Sequence, residues 1–218
     1  MAVFYWFHLL LSLKASILRL GAGGAAQAVT PEKPIILYEF EGCPFCRIAR
    51  EAVSQSGVSV LVRPCPKGGK RFRPHVKKLG GKAQFPFLVD ENADLSMYES
   101  RDISTYLHKN YGGNRSWQRF LGPIDQILSQ LAVLIRLLAG TFVKKSVAPE
   151  TPLEFIGAER DPRARLVKEI LCEMELEYHW HPKGGDGESK PALNDPNTKE
   201  TITGAQAIRD YLRKTYRS

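Results

Sequence analysis

Apolar positions in this 218-residue chain fall into short blocks whose period changes from one block to the next. Ile35 to Phe40 is a nearly continuous apolar run, too short for a helix, and predicts a buried strand. Pro44 to Ser56 repeats its apolar positions at helical spacing. Pro44 suits the first turn of that helix and Gly57 ends it. Val58 to Arg63 (VSVLVR) predicts a second strand, and Phe72 to Leu79 a short helix stopped by Gly80-Gly81. Pro86 to Val89 and Leu95 to Tyr98 predict two strands, close enough for a hairpin around Glu91-Asn92-Ala93-Asp94. Glu99-Ser100 then opens a helix to about Lys109. The order is βαβ, then α, then ββα, and the first βαβ calls for a parallel pair with a right-handed crossover.

The same pattern recurs. Pro86-Phe87-Leu88-Val89-Asp90 through Tyr106 and Tyr111 aligns without a gap to Pro191-Ala192-Leu193-Asn194-Asp195 through Tyr211 and Tyr216. Ile35 to Tyr38 aligns with Leu153 to Ile156, Arg47 to Glu51 with Arg165 to Glu169, and Pro31-Glu32-Lys33-Pro34 with Pro149-Glu150-Thr151-Pro152. Ahead of each copy lies an apolar helical segment, LLSLKASILRLGAG from Leu10 and LSQLAVLIRLLAG ending at Gly140. The repeat divides the chain into a helix and linker (1–33), an α/β unit (34–113), a second helix and linker (114–151) and a second α/β unit (152–218). In the second unit the stretch between the second and third strands is a polar run, 182–188, read as a loop with no room for the short helix.

The composition, 43% apolar and 25% charged, is that of a soluble globular protein. The net charge of +8 is concentrated: eight Lys and Arg lie between Arg63 and Lys82, with no acid among them. That favours an anionic ligand or partner, beside the simpler reading of a solvated basic loop. No zinc-finger spacing or interleaved aromatics accompany it, so nucleic acid is not expected. Four scattered cysteines are too few for a disulfide-stapled secreted domain and point to an intracellular, reducing compartment. Lys14 and Arg19 interrupt the N-terminal apolar run, making it a poor membrane span, and its mid-chain counterpart marks it as a structural helix. In that counterpart Ile124, Leu128, Leu131, Ile135 and Leu138 fall at helical spacing. Packing against the two units is the favoured reading; pairing with the first helix, or lying on a membrane with Arg136, Lys144 and Lys145 at the interface, are the others.

The chemistry centres on Glu41-Gly42-Cys43-Pro44-Phe45-Cys46-Arg47. Cys43 precedes a helix start, where unpaired N–H groups and partial positive charge stabilise a thiolate, and Arg47 adds a full charge one turn along. Cys46, also one turn along, is placed to resolve a mixed disulfide. A zinc site would need two more ligands; Cys65 and His75 have the right chemistry but irregular spacing, so no metal is expected. His179 and His181 share a strand face and make only a weak metal pair. Cys65, between two prolines, reads as an exposed thiol or a partly buried loop residue, and Cys172 as a buried structural one. Phe85-Pro86 reads by itself as a proline opening an edge strand, and Ser100 as a helix cap.

Together, in this order, the C-P-F-C helix start, the Phe-Pro strand opening and the Glu-Ser helix start resemble the glutaredoxin-like N-terminal domain of the glutathione S-transferase family. With "PCPKGG" and "GGKAQFPFLVD" the chain is similar to plant and algal tandem-domain proteins of that group, and its cysteine pair also resembles that of prostaglandin E synthase type 2. The resemblance implies two thioredoxin-like units in tandem, the second degenerate and shortened. It implies catalysis by Cys43 and Cys46. It also implies a cis bond at Phe85-Pro86, and glutathione held by Pro44, Phe45, Arg47, Phe85, Pro86, Glu99 and Ser100, with the last two on its γ-glutamyl end. Asp161, Ala164, Gly204 and Ala205 stand at the second unit's equivalents of Cys43, Cys46, Glu99 and Ser100, so no thiol chemistry is expected there. The activity expected is glutathione-dependent thiol–disulfide exchange on protein or small-molecule disulfides, with glutathione as co-substrate. Glutathione conjugation and a non-catalytic scaffold are the alternatives. Peripheral membrane contact through the apolar helices stays open, and a plastid location follows only from the likeness.

Overall fold

In the computed structural model, residues 2–18, 29–113, 130–131, 136, 139–183 and 190–218 are described. The short apolar runs become eight strands of one sheet: β1 (Ile35–Glu39), β2 (Val60–Pro64), β3 (Phe87–Asp90), β4 (Leu95–Met97), β5 (Leu153–Ile156), β6 (Tyr178–His181), β7 (Ala192–Asp195) and β8 (Glu200–Thr203). The strand order is β4-β3-β1-β2-β6-β5-β7-β8. Six helices are described: α1 (Ala2–Leu18), α2 (Pro44–Ser56), α3 (Arg73–Gly80), α4 (Ser100–Tyr111), α5 (Pro162–Glu173) and α6 (Ala205–Tyr216).

Within the first half β1 is parallel to β2 and antiparallel to β3, which pairs antiparallel with β4. Residues 153–216 repeat this arrangement: β5 is parallel to β6 and antiparallel to β7, which pairs with β8. The halves join through β2 and β6, antiparallel, with Val60 opposite Trp180, Leu61 opposite His179 and Val62 opposite Tyr178. Each half would otherwise leave a strand edge with unpaired N–H and C=O groups, and the join satisfies both. One core crosses the join, with Leu37, Val60 and Leu88 continuous with Phe155, Tyr178 and Leu193.

The helix boundaries follow local chemistry. Gly57 ends α2 at φ 70°, a left-handed conformation open to glycine at little cost. Strand β2 begins at Val60 because the preceding Val58 is bridged to Val29 outside the sheet. Helix α1 reaches both halves: the Ser12 hydroxyl donates to Pro162 O at 3.0 Å, and Arg47 Nη2 donates to Ala15 O at 3.1 Å. Of the second apolar segment only residues 130, 131, 136 and 139–140 are described, and the expected helix there lies outside the described residues. So do residues 184–189 of the polar run.

Candidate thiol site at the start of helix α2

Cys43 is the N-cap of α2, with extended backbone (φ −98°, ψ 124°), and its sulfur accepts from the Cys46 amide at 3.4 Å. The loop before it is held in place: the Cys43 amide donates to Phe40 O (3.0 Å), and Gly42 N donates to Gly140 O (3.3 Å). A Cβ on Gly42 would lie 1.9 Å from Thr141 Oγ1, so this close approach requires glycine.

The two sulfurs differ sharply. The Cys43 thiol is shifted down by its hydrogen bond with the Cys46 side chain. Burial opposes this, while the Cys46 and Phe45 amides and the Arg50 charge add to it. Cys46 has no exposed surface, and burial, then its bond to Cys43, pushes its thiol well up. Cys43 itself is only 5% exposed. Its neighbour Phe45 is on the surface, and Pro44 occupies the first helical turn.

Arg47 departs from its expected place. It lies on the face of α2 that meets α1, where Nε donates to Glu51 Oε1 at 3.1 Å and Nη2 to the Ala15 carbonyl. The Arg50 charge acts on the Cys43 sulfur and helps to lower its thiol. Arg50 is buried and bridges three carboxylates, Glu39 at 2.5 Å, Glu41 at 3.0 Å and Glu159 at 3.4 Å. Glu159 also takes Lys168, and both side chains are fully buried. The sequence marks Arg50 only as one of several helix charges, because its three partners are 9 to 11 residues upstream or in the other half.

The Phe85–Pro86 bond is cis. Phe85, Cys43, Cys46 and Cys65 belong to one buried apolar cluster. Phe40 links them, its ring meeting that of Phe85 edge-on at 6.1 Å while its carbonyl holds the Cys43 amide. The Arg73 guanidinium lies over the Phe85 ring, 4.6 Å from its centroid, and donates to Cys65 O at 2.8 Å. Cys65 is buried, which removes the reading of it as an exposed thiol, and burial pushes its thiol up.

Glu99 caps α4 at φ 65°, ψ 114°, strained for a residue with a Cβ. Its carboxylate accepts from Gln84 Nε2 at 2.6 Å, which ties the α4 start to the residue beside Phe85. The Glu99 side chain makes no capping hydrogen bond to the first turn of α4, and Ser100 is buried there. Its leading N–H groups are of the kind that bind a carboxylate. The structure thus brings Cys43, Cys46, Phe85, Pro86, Glu99 and Ser100 to one side of the first half and turns Arg47 away. Gln84 and Arg73 join them; neither has a local sequence signal.

At the corresponding place in 153–216, Asp161 caps α5, accepting from Arg163 N at 2.8 Å and from the Arg163 guanidinium. The basic run is also altered by this half. Arg63 pairs with Glu177 at 2.6 Å, and Arg71 donates to Met174 O, Glu175 O and Ser146 O. Its arginines are therefore largely structural. Among the described residues no group of three or more His, Cys, Asp or Glu is placed to hold a metal ion.

A β1-α2-β2-α3-β3-β4-α4 order, a cysteine at the α2 cap and a cis-proline ahead of β3 define a thioredoxin-like domain. Residues 37–115 match the family described as "Glutathione S-transferase, N-terminal domain". Among solved structures the chain is similar to a delta-class glutathione transferase of Nilaparvata lugens, at 29% identity over 44% of this chain and 46% of that one, with a TM-score of 0.34. This chain therefore spans less than half the length of that relative. No curated protein matches the chain.

Proposed function

We propose that this protein is a glutathione-dependent thiol–disulfide oxidoreductase acting through Cys43, in a reducing compartment. The observation that carries the reading is the Cys43 thiol: capping α2, shifted down by hydrogen bonds, one turn from a second thiol that is shifted up. The match of residues 37–115 to a glutathione S-transferase N-terminal domain supports glutathione as the co-substrate. The α4 start and the Glu99–Gln84 pair would hold its γ-glutamyl end. Phe85 and Pro86 would hold its cysteinyl part.

In the reaction the Cys43 thiolate attacks one sulfur of a disulfide. The S–S bond breaks, a mixed disulfide with Cys43 forms, and the other sulfur leaves as thiolate. In one route a glutathione thiolate attacks the substrate-derived sulfur of the mixed disulfide, forming a new disulfide with it and freeing the Cys43 thiolate; in the other Cys46, after deprotonation, attacks the Cys43 sulfur, releases the second thiolate and forms a Cys43–Cys46 disulfide, which two glutathiones then reduce as they become glutathione disulfide. The two electrons come from glutathione in either route. Burial of Cys46 favours the glutathione route, since its thiol has to lose a proton in an apolar site.

Residues 34–113 would be the catalytic unit and 152–218 a degenerate thioredoxin-like copy without thiol chemistry, with 1–33 and 114–151 linking them. The matched topology and the Asp161 cap support this. Tandem-domain proteins of plants and algae would be its relatives.

Reduction of a glutathione mixed disulfide by wild type, Cys43→Ser and Cys46→Ser tests the reading. The wild type and Cys46→Ser are expected to be active and Cys43→Ser inactive. Wild-type inactivity overturns it. Conjugation of a model electrophile without disulfide reduction would make the protein a transferase instead.

A further inference from the structure

We infer, resting on the reading of Cys43 as the attacking thiol, that Cys172 on α5 of the second half is a positioning residue for it: its sulfur holds the turn through which the chain enters α2. The Glu41 amide donates to Cys172 Sγ at 3.3 Å. The Cys172 thiol in turn donates to Gly140 O at 3.2 Å, and the same carbonyl accepts from Gly42 N at 3.3 Å. The next amide, that of Cys43, is bound to Phe40 O. The Glu41 and Gly42 amides, leading into the helix, are therefore held from outside residues 34–113, by Cys172 and by Gly140.

The two halves exchange this support. Glu159 stands in the second half where Glu41 stands in the first, and its amide donates to Ser54 Oγ on α2 at 3.2 Å. Ser54 and Cys172 occupy matching positions on α2 and α5, as the alignment of Arg47 to Glu51 with Arg165 to Glu169 continues along the helix. Each helix thus lends one side chain to the loop ahead of the other half's helix. All four residues are buried, so water is a poor substitute partner for either amide. Ser54 also shows that a hydroxyl does at one place what the thiol does at the other. The half without a thiol pair thereby supplies part of the thiol site.

The effect on the thiol is geometric. Cys43 caps α2 with extended backbone, and that orientation brings its sulfur to the Cys46 amide. The Glu41 and Gly42 amides immediately precede it. A turn that shifts to find new acceptors carries Cys43 with it and loosens the sulfur from the helix N–H groups that favour a thiolate. The same turn sets Glu41 against Arg50 at 3.0 Å, and the Arg50 charge also acts on Cys43. Packing leaves the turn no slack: a Cβ on Gly140 would lie 2.5 Å from Glu41 Cβ. Burial pushes the Cys172 thiol well up, so it is uncharged wherever Cys43 titrates. Substituting Cys172 therefore deletes no charge, and a change in Cys43 reactivity reports the position of the turn.

The pH midpoint of Cys43 alkylation, followed by mass spectrometry on the full chain, tests this with Cys172→Ala, Cys172→Val and Cys172→Ser. Alanine leaves space and valine fills it, but neither can accept the Glu41 amide or donate to Gly140 O. Both are expected to raise the midpoint by about half a pH unit or more, a roughly threefold slower alkylation below it. Serine, the residue at the matching position of α2, is expected to restore most of the wild-type midpoint. Ile170→Val, a truncation in the core of the same helix, is expected to lower stability to urea without moving the midpoint. An unchanged midpoint in both Cys172→Ala and Cys172→Val overturns the inference. So does a serine variant, or Ile170→Val, shifted as far as they are. These outcomes leave the reading of Cys43 standing, which fails instead if the wild type does not reduce a glutathione mixed disulfide.

Discussion

Cys43 and Cys46 sit one helical turn apart and differ in what surrounds each sulfur. Cys43 accepts from a helix amide and from its partner thiol; Cys46 is enclosed by apolar side chains. Alkylation of native Cys43 should therefore rise with pH through a midpoint below that of a free cysteine, about 8.5. Cys46 should stay unmodified. In Cys46→Ala the loss of the side-chain hydrogen bond should move the Cys43 midpoint up, measurable by alkylation rate against pH. Glu99 gives a second prediction at this scale. It holds a positive-φ conformation that Gly204 adopts at the corresponding place (φ 90°). Glu99→Gly should raise stability by about 1 kcal/mol, relief of strain outweighing added unfolded-state freedom. It should also weaken glutathione binding by calorimetry. The C-P-F-C spacing made the thiol pair legible in the sequence. The displacement of Arg47 by Arg50 was not, because a helix charge shows its direction only once its neighbours are packed.

Each ββα element is held by one carboxylate. Asp90 accepts from Asn92 N (2.9 Å) and Nδ2 (2.8 Å), and from the Tyr106 and Tyr111 hydroxyls at 2.7 and 2.5 Å. Asp195 does the same with Asn197, Tyr211 and Tyr216. Asn92 further exchanges bonds with Lys33, and Asn197 with Thr151, so the hairpin, the last helix and the preceding linker are fastened together in both halves. Burial raises each Asp, but the Tyr and Asn bonds outweigh it and hold both below the ordinary range. A carboxyl depressed in the folded state stabilises above its unfolded value, about 3.9, and loses that contribution as the pH falls through its folded value. Asp90→Ala and Asp195→Ala should each cost about 2–3 kcal/mol in urea unfolding at neutral pH. The double variant should show less loss of stability on acidification than the wild type. The repeat displayed these Asp and Tyr residues in matching positions. Their bonding could not be read from it, since the tyrosines lie 16 and 21 residues from the carboxylate.

Across the whole molecule, the β2–β6 pairing makes two halves into one sheet, and a charge network backs the join. Arg50 from α2 meets Glu39 and Glu41 from the first half and Glu159 from the second; Lys168 completes it. Burial favours neutral forms throughout, but the opposed charges keep Arg50 firmly protonated. Removing one member leaves the others buried and uncompensated. Arg50→Met should cost about 3–5 kcal/mol by thermal or urea unfolding. It should also raise the midpoint of Cys43 alkylation, because the Arg50 charge lowers that thiol. A variant that unfolds normally would mean that the network adds nothing to the join.

The chain by itself determined what depends on neighbours in sequence. Strand and helix periods, the α2 start at Pro44, its end at Gly57 and the repeated order of elements all follow from local sterics, caps and apolar spacing. The tertiary structure decided what depends on residues far apart. It merged both halves into one sheet, took Arg63 and Arg71 from the basic run as partners for the second half, buried Cys65 and turned the apolar side of α1 outward. For the sheet, the two arginines and α1 the physical reason is the same. Hydrogen-bonding edges and charges in each half are satisfied by groups in the other, and no periodicity along a chain records which distant partner will meet them.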